Sequence, residues 1–204
     1  MALEDALDLV DWRRRVGDLY RLQGPGALEE FRRGRDRLFA THSQSPIEDR
    51  AAFKGVDYFE PDPSLRFTCS VGPPRSEGEI VIDTGGEDGA IGYRRAGTVE
   101  FSIGGAFCAL TIFEILAYGH GLFLPFKDAT SGRETYGGGR YLFDTIKNTD
   151  GLALEVTAGS REVVIDFNYA YNPSCAYNPR WACPLAPPEN TLTVAIRAGE
   201  KSYH

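Results

Sequence analysis

The apolar period of this sequence changes once, near residue 60, and that change dictates the fold class. Before it, apolar side chains recur at helical spacing. After it they alternate with polar ones, which a strand with one buried face requires. In the first part Leu9, Trp12, Val16, Leu19 and Tyr20 form one helical stripe within Leu3 to Leu22, closed by Gln23-Gly24-Pro25-Gly26. Leu28, Phe31, Arg35, Leu38 and Phe39 form a second stripe ending near Thr41-His42. Ser45-Pro46-Ile47-Glu48 has the serine, first-turn proline and acidic third position of a capping box, so a short third helix to about Phe53 is expected.

Beyond Tyr58-Phe59-Glu60-Pro61-Asp62-Pro63, Phe67, Cys69 and Val71 alternate with polar neighbours. Further strand patterns run over 80–83, 91–94, 98–103, 107–116, 121–126, 140–145, 152–157, 162–168 and 191–196, with Gly104-Gly105 as a hairpin turn. Connections this short exclude most crossover helices, so neighbouring strands pair antiparallel. The expected fold is α+β and mainly β: an antiparallel β-barrel or sandwich with amino-terminal helices packed against it. One domain, 1–204, accommodates both parts, a helical segment 1–54 and a β body 65–197. Pro73 to Gly78 and Thr84 to Gly89 read as surface loops.

Charge narrows the functional classes. Arginines at 13, 14, 15, 21, 32, 33, 35 and 37 suggest a nucleic-acid face, but residues 1–66 hold 11 Lys and Arg against 13 Asp and Glu, and the whole chain carries −7. These arginines read as solvated helix faces laced with ion pairs, and no nucleic-acid partner is expected. The first 20 residues lack an uninterrupted apolar run, so neither a signal peptide nor a membrane span is expected and the location should be cytoplasmic. Four scattered cysteines fit thiols in a reducing compartment.

Chemistry-bearing residues concentrate in two blocks, Lys127 to Tyr141 and Asp166 to Asn178. In the first, Gly137, Gly138 and Gly139 free the backbone to aim amides at an anion, and Arg140 adds a planar permanent cation. The same run also suits a tight connection, with Arg140 paired to a nearby carboxylate. In the second, Asp166 and Asn168 share one strand face, where they either enter a barrel lumen or anchor the following loop. The loop from Tyr169 to Asn190 combines five prolines with three tyrosines and a tryptophan, the composition of an ordered loop that rims a pocket or seals the body.

From these blocks a pocket for a small polar or anionic molecule is expected. Tyr136, Arg140, Asn168, Tyr171, Asn172 and Tyr177 would bind, and Asp166, Asp128 and Glu134 would serve as acid or base if chemistry occurs. A hydrolase using these carboxylates, or Cys175 with His120, is a second reading. A protein-interaction module presenting the aromatic and proline loop is a third. Cys175 and Cys183 match no zinc spacing, so neither a metal nor a cofactor is expected. Oligomeric state stays open, a homodimer included.

Together these blocks resemble an uncharacterised family of bacterial and archaeal proteins, domain of unknown function 1684. The likeness rests on Phe123-Leu124-Pro125-Phe126, Asp128-Ala129-Thr130-Ser131-Gly132, Thr135 to Tyr141, Asp166-Phe167-Asn168, Ala170 to Pro173, Cys175-Ala176-Tyr177, Cys183-Pro184 and Pro188-Glu189-Asn190, with Asp11-Trp12-Arg13 and Phe39 to His42 near the amino terminus. The resemblance implies a shared fold. It brings no activity, cofactor or catalytic residue.

Overall fold

Two helices, α1 (Leu3–Leu19) and α2 (Ala27–Thr41), pack against two antiparallel sheets in the computed structural model, which describes residues 2–84, 89–116 and 119–203. Of the expected loop Thr84 to Gly89, residues 85–88 lie outside that description. The helices touch closely because Gly34 has no side chain: a Cβ there would meet Leu19 Cδ2 at 2.3 Å. Tyr20, Phe31 and Tyr169 then stack edge to face, with Phe31 centred 4.8 Å from Tyr20 and 5.0 Å from Tyr169, which fastens the helix pair to the β body.

The expected third helix does not form. Ser45 Oγ does accept from Ile47 N–H at 3.1 Å, as a cap should, but Asp49 Oδ1 then takes the N–H groups of Ala51 and Ala52 at 3.1 Å each. That local side-chain bonding competes with helix propagation, and a segment this short does not overcome the nucleation cost.

The larger sheet runs in the order β2 (Glu79–Asp83), β3 (Ala90–Ile103), β4 (Ala106–Ile115), β5 (Leu122–Phe126), β6 (Arg140–Asp144). The smaller runs β1 (Arg66–Ser70), β8 (Glu162–Asp166), β7 (Leu154–Val156). The expected strands 91–94 and 98–103 are one strand, β3, with a register shift between Arg95 and Gly97 that hides the alternation. Gly97 is needed there because the chain leaving β1 crosses it: a Cβ would lie 2.5 Å from Val71 Cγ1. At that crossing Gly72 and Thr98 exchange backbone hydrogen bonds of 2.9 and 3.1 Å, tying the two sheets at a corner. The sheets do not close into a barrel; the arrangement is a sandwich.

The hairpin at Gly104-Gly105 forms as expected, both glycines having positive φ (56° and 82°) between the paired Ile103 and Ala106. Segment 191–196 is not a strand. Its backbone makes one isolated bridge, Thr191 to Lys127, and the chain beyond it is gripped by side chains instead. Strand β8 stops at Asp166 because that side chain accepts from Asn168 N–H at 2.9 Å and starts a 3-10 turn over Phe167–Tyr169.

The core lies between the sheets and under the helices. Val99, Leu110, Leu124, Phe126, Leu142, Phe143, Ile165, Phe167 and Ile196 are all fully buried. Strand β6 is buried along its whole length, because Tyr171 and the chain after it cover the face turned away from the core.

Candidate functional site

Arg140 opens β6, and its side chain points inward, 1% exposed. One Nη donates to Asp128 Oδ2 at 2.8 Å and to the Ile196 carbonyl at 2.8 Å. The other donates to the carbonyls of Ala198 and Glu200. Asp128 is buried with it and accepts from Thr130 N–H at 2.7 Å and Thr130 Oγ1 at 2.6 Å. The pair therefore clasps the segment 196–200 to the body, and the guanidinium lies over the Phe126 ring at 5.1 Å. The glycine run before it meets the need for close packing: a Cβ on Gly139, whose φ is 94°, would lie 2.6 Å from the Phe126 carbonyl.

Asp166 and Asn168 face the loop, not a lumen. Asn168 Oδ1 accepts from Asp62 N–H at 2.8 Å and its amide nitrogen donates to the Asp62 carbonyl at 2.9 Å, pinning the chain that leads into β1. Asp166 bonds Asn168 and lies 3.9 Å from Arg66. Burial pushes its carboxyl above the usual aspartate range. Glu134 lies at the surface, bound by both oxygens to Arg197. The carboxylates of Asp128, Glu134 and Asp166 thus engage different donors, Thr130 and Arg140, Arg197, and Asn168 respectively.

The remaining candidates gather elsewhere. A cavity of about 510 Å³ lies between the helices and the loop that follows β8, lined by Tyr171, Asn172 and Tyr177 together with Trp12, Arg35 and Trp181. Behind its wall lies an ion pair that includes the lining Arg35. Arg35 Nε donates to Glu200 Oε1, with the two side chains 7% and 1% exposed. Glu200 Oε2 accepts from Tyr177 OH and from Asn172 N–H, the latter at 2.7 Å. Among the described residues no hydrogen bond engages either Nη of Arg35, whose guanidinium lies over the rings of Phe39 (4.5 Å) and Tyr171 (5.3 Å). This corrects the expectation that Arg35 belongs to a solvated helix face. The pairs Arg15 with Asp11, and Arg33 and Arg37 with Glu30, do lie exposed on α1 and α2 as expected.

Arg13 on α1 and Lys147 after β6 add two more cations to the lining, Lys147 standing 3.3 Å from Asp144. Among the described lining residues there is no carboxylate. Two polar atoms of lining residues, Asn172 Oδ1 and Trp181 Nε1, are buried without a partner. Thr149 Oγ1 and Tyr171 OH bond to each other at 2.7 Å.

Cys183 is buried in the cavity wall, and Cys175 beside it is half-buried; both are free thiols. Cys175 N–H donates to Cys183 Sγ at 3.4 Å, and Tyr136 OH lies 3.7 Å from Cys175 Sγ. The neighbouring Cys175 thiol, aided by the Cys175 and Ser174 amides and the Lys147 charge, pulls Cys183 down to about 6, and Cys175 is itself pushed up. His120, considered above as a base for Cys175, pairs with Glu114 at 2.9 Å on an exposed rim and makes no hydrogen bond to either thiol.

Arg35, Lys147, Thr149 and Glu200 were not among the residues singled out from the sequence. Only Arg35 carried a signal, since it stands at an apolar position of the α2 stripe, four residues after Phe31 and four before Phe39. Glu200 had none, being 165 positions from its partner.

Residues 51–201 match the family described as "Protein of unknown function (DUF1684)", and the chain belongs to that family. Among solved structures it is similar to the uncharacterised protein from gene locus rrnAC0354 of Haloarcula marismortui, determined by solution NMR. The two are 35% identical, with a TM-score of 0.60, over 85% of this chain and 91% of that one. No curated protein matches. Among the described residues no helix is long and apolar enough to cross a membrane.

Proposed function

We propose that this protein binds a small molecule with a flat apolar body and an anionic end, held in the cavity between α1, α2 and the loop 171–183. The observation that carries the reading is the lining: Arg13, Arg35 and Lys147 among Trp12, Tyr171, Tyr177 and Trp181, with no carboxylate among the described lining residues. In a chain of net charge −7 that local excess of cations favours an anion. Arg35 is neutralised by Glu200 but offers unused donors, while Arg13 and Lys147 supply uncompensated or partly compensated charge. Aromatic faces take the body of the ligand, and the volume falls within the ~300–1,000 Å³ common for small-molecule sites. The free thiols support a cytoplasmic setting for this binding.

The test is a thermal-shift screen of aromatic carboxylates and phosphate monoesters against their neutral amides and alcohols, followed by calorimetry on the hits. Binding that falls several-fold in Arg13→Ala and in Lys147→Ala, and that the neutral analogues lack, supports the reading. Equal binding of neutral analogues, or affinities untouched by both substitutions, overturns it.

A further inference from the structure

The pair Cys175 and Cys183 remains unexplained by ligand binding. Cys175 sits in the 3-10 turn Ser174–Ala176, and Cys183, eight positions on, returns to it so that the Cys175 N–H donates to the Cys183 sulfur at 3.4 Å. With its sulfur 3.4 Å from the Cys175 backbone nitrogen, Cys183 lies within reach of the Cys175 side chain, the proximity a disulfide demands. No group of three or more His, Cys, Asp or Glu side chains is placed to hold a metal among the described residues, so the thiols are not half of such a centre. They also differ from Cys69 and Cys108, which are buried in the core and pushed up by that burial.

We propose that Cys175 and Cys183 are a redox-active dithiol, which a low-molecular-weight disulfide converts to an intramolecular disulfide in the cavity wall. Cys183, the thiol held as thiolate near neutral pH, attacks one sulfur of the oxidant RSSR; the S–S bond of the oxidant breaks and RS⁻ leaves, giving Cys183–S–S–R. Cys175 then passes its proton to the departed RS⁻ and attacks Cys183 Sγ. The second RS⁻ leaves and takes a proton from solvent, balancing the one Cys183 had released. Two protein thiols become one disulfide, and the oxidant, gaining two electrons and two protons, becomes two RSH. The order follows from charge, and Cys183, though more buried than Cys175, lines the cavity through which a small oxidant arrives. Closure ties the 3-10 turn to the chain at Cys183 and stiffens that wall. It holds whatever the cavity binds.

The experiment treats reduced full-length protein with glutathione disulfide, blocks free thiols with iodoacetamide and digests without reductant. Trypsin cuts after Arg180, between the two cysteines, so the bridge joins peptides 162–180 and 181–197 at a mass two hydrogens below their sum. The expected result is that linked species, lost on adding dithiothreitol, with Cys69 and Cys108 recovered alkylated and the melting midpoint of the oxidised protein raised. In Cys175→Ser a mixed disulfide with glutathione should accumulate on Cys183. Recovery of both peptides unlinked after exhaustive treatment, or crosslinks scrambled onto Cys69 or Cys108, overturns the proposal.

Discussion

Glu200 holds Arg35 across 165 residues of sequence, in a buried ion pair between α2 and the last described segment. The carboxylate also receives Tyr177 OH and Asn172 N–H, so one side chain joins a helix, the loop after β8 and the segment it belongs to. Buried charges are tolerated only when fully paired.

Breaking the pair from one side should therefore cost more than removing it whole. Arg35→Met or Glu200→Gln alone is expected to destabilise by ~3–5 kcal/mol, and the double substitution by clearly less than the sum. Urea unfolding of the four proteins in a double-mutant cycle checks this.

Arg140→Lys should fail to substitute for arginine. A lysine reaches Asp128 but cannot also fork to the carbonyls of Ile196, Ala198 and Glu200. The expected loss is about 3 kcal/mol, with hydrogen exchange in residues 196–203 accelerated more than elsewhere.

Asn190, fully buried, repairs a gap between β4 and β5. These strands pair only at Phe113 with Phe123 and Glu114 with Leu122, and farther along Pro125 has no N–H to give. The Asn190 side chain fills in, accepting from Thr111 N–H at 2.8 Å and donating to the carbonyls of Thr111 and Pro125 at 2.9 and 2.8 Å. Asn190→Ala strands all three groups, each costing about 1–3 kcal/mol if left dry. Equilibrium unfolding should show a loss of at least about 3 kcal/mol, and the Thr111 amide should exchange faster.

Asp166→Asn is expected to be nearly neutral at pH 7. Burial raises the Asp166 carboxyl in the folded chain, so its ionised form opposes folding above that raised value and the penalty fades as pH falls through it. Asparagine keeps an acceptor for Asn168 N–H without the charge. The variant should match or slightly exceed the parent at pH 7, with the difference shrinking toward pH 4, and ligand affinity in the cavity should be unchanged; unfolding curves at both pH values and calorimetry read the two outcomes.

Period and turn chemistry made the secondary structure legible: α1, α2, the Gly104-Gly105 hairpin and most strands follow from them. The misplaced elements share a physical cause. At 45–53 and 191–196 the local pattern was satisfied, but the backbone groups found other partners, Asp49 in the first case and Arg140 further along in the second. Part of the cavity's lining was legible where side chains cluster in sequence, since Tyr171, Asn172 and Tyr177 all line it. It was hidden where the partner is distant. Arg35 between Phe31 and Phe39 announces a buried cation, but no local rule points from it to Glu200.

The clasp around residues 196–200 also orders events in time. A chain made from its amino end displays α2, with Arg35 on its apolar face, and then Arg140 on β6, long before Glu200 and the carbonyls that receive them exist. Until that stretch leaves the ribosome, Arg35 lacks the carboxylate that neutralises it, and Arg140, with Asp128 already made, lacks the three carbonyls it forks to. Helices and hairpins can form early, yet the body can lock only when this later-made strap is threaded between them.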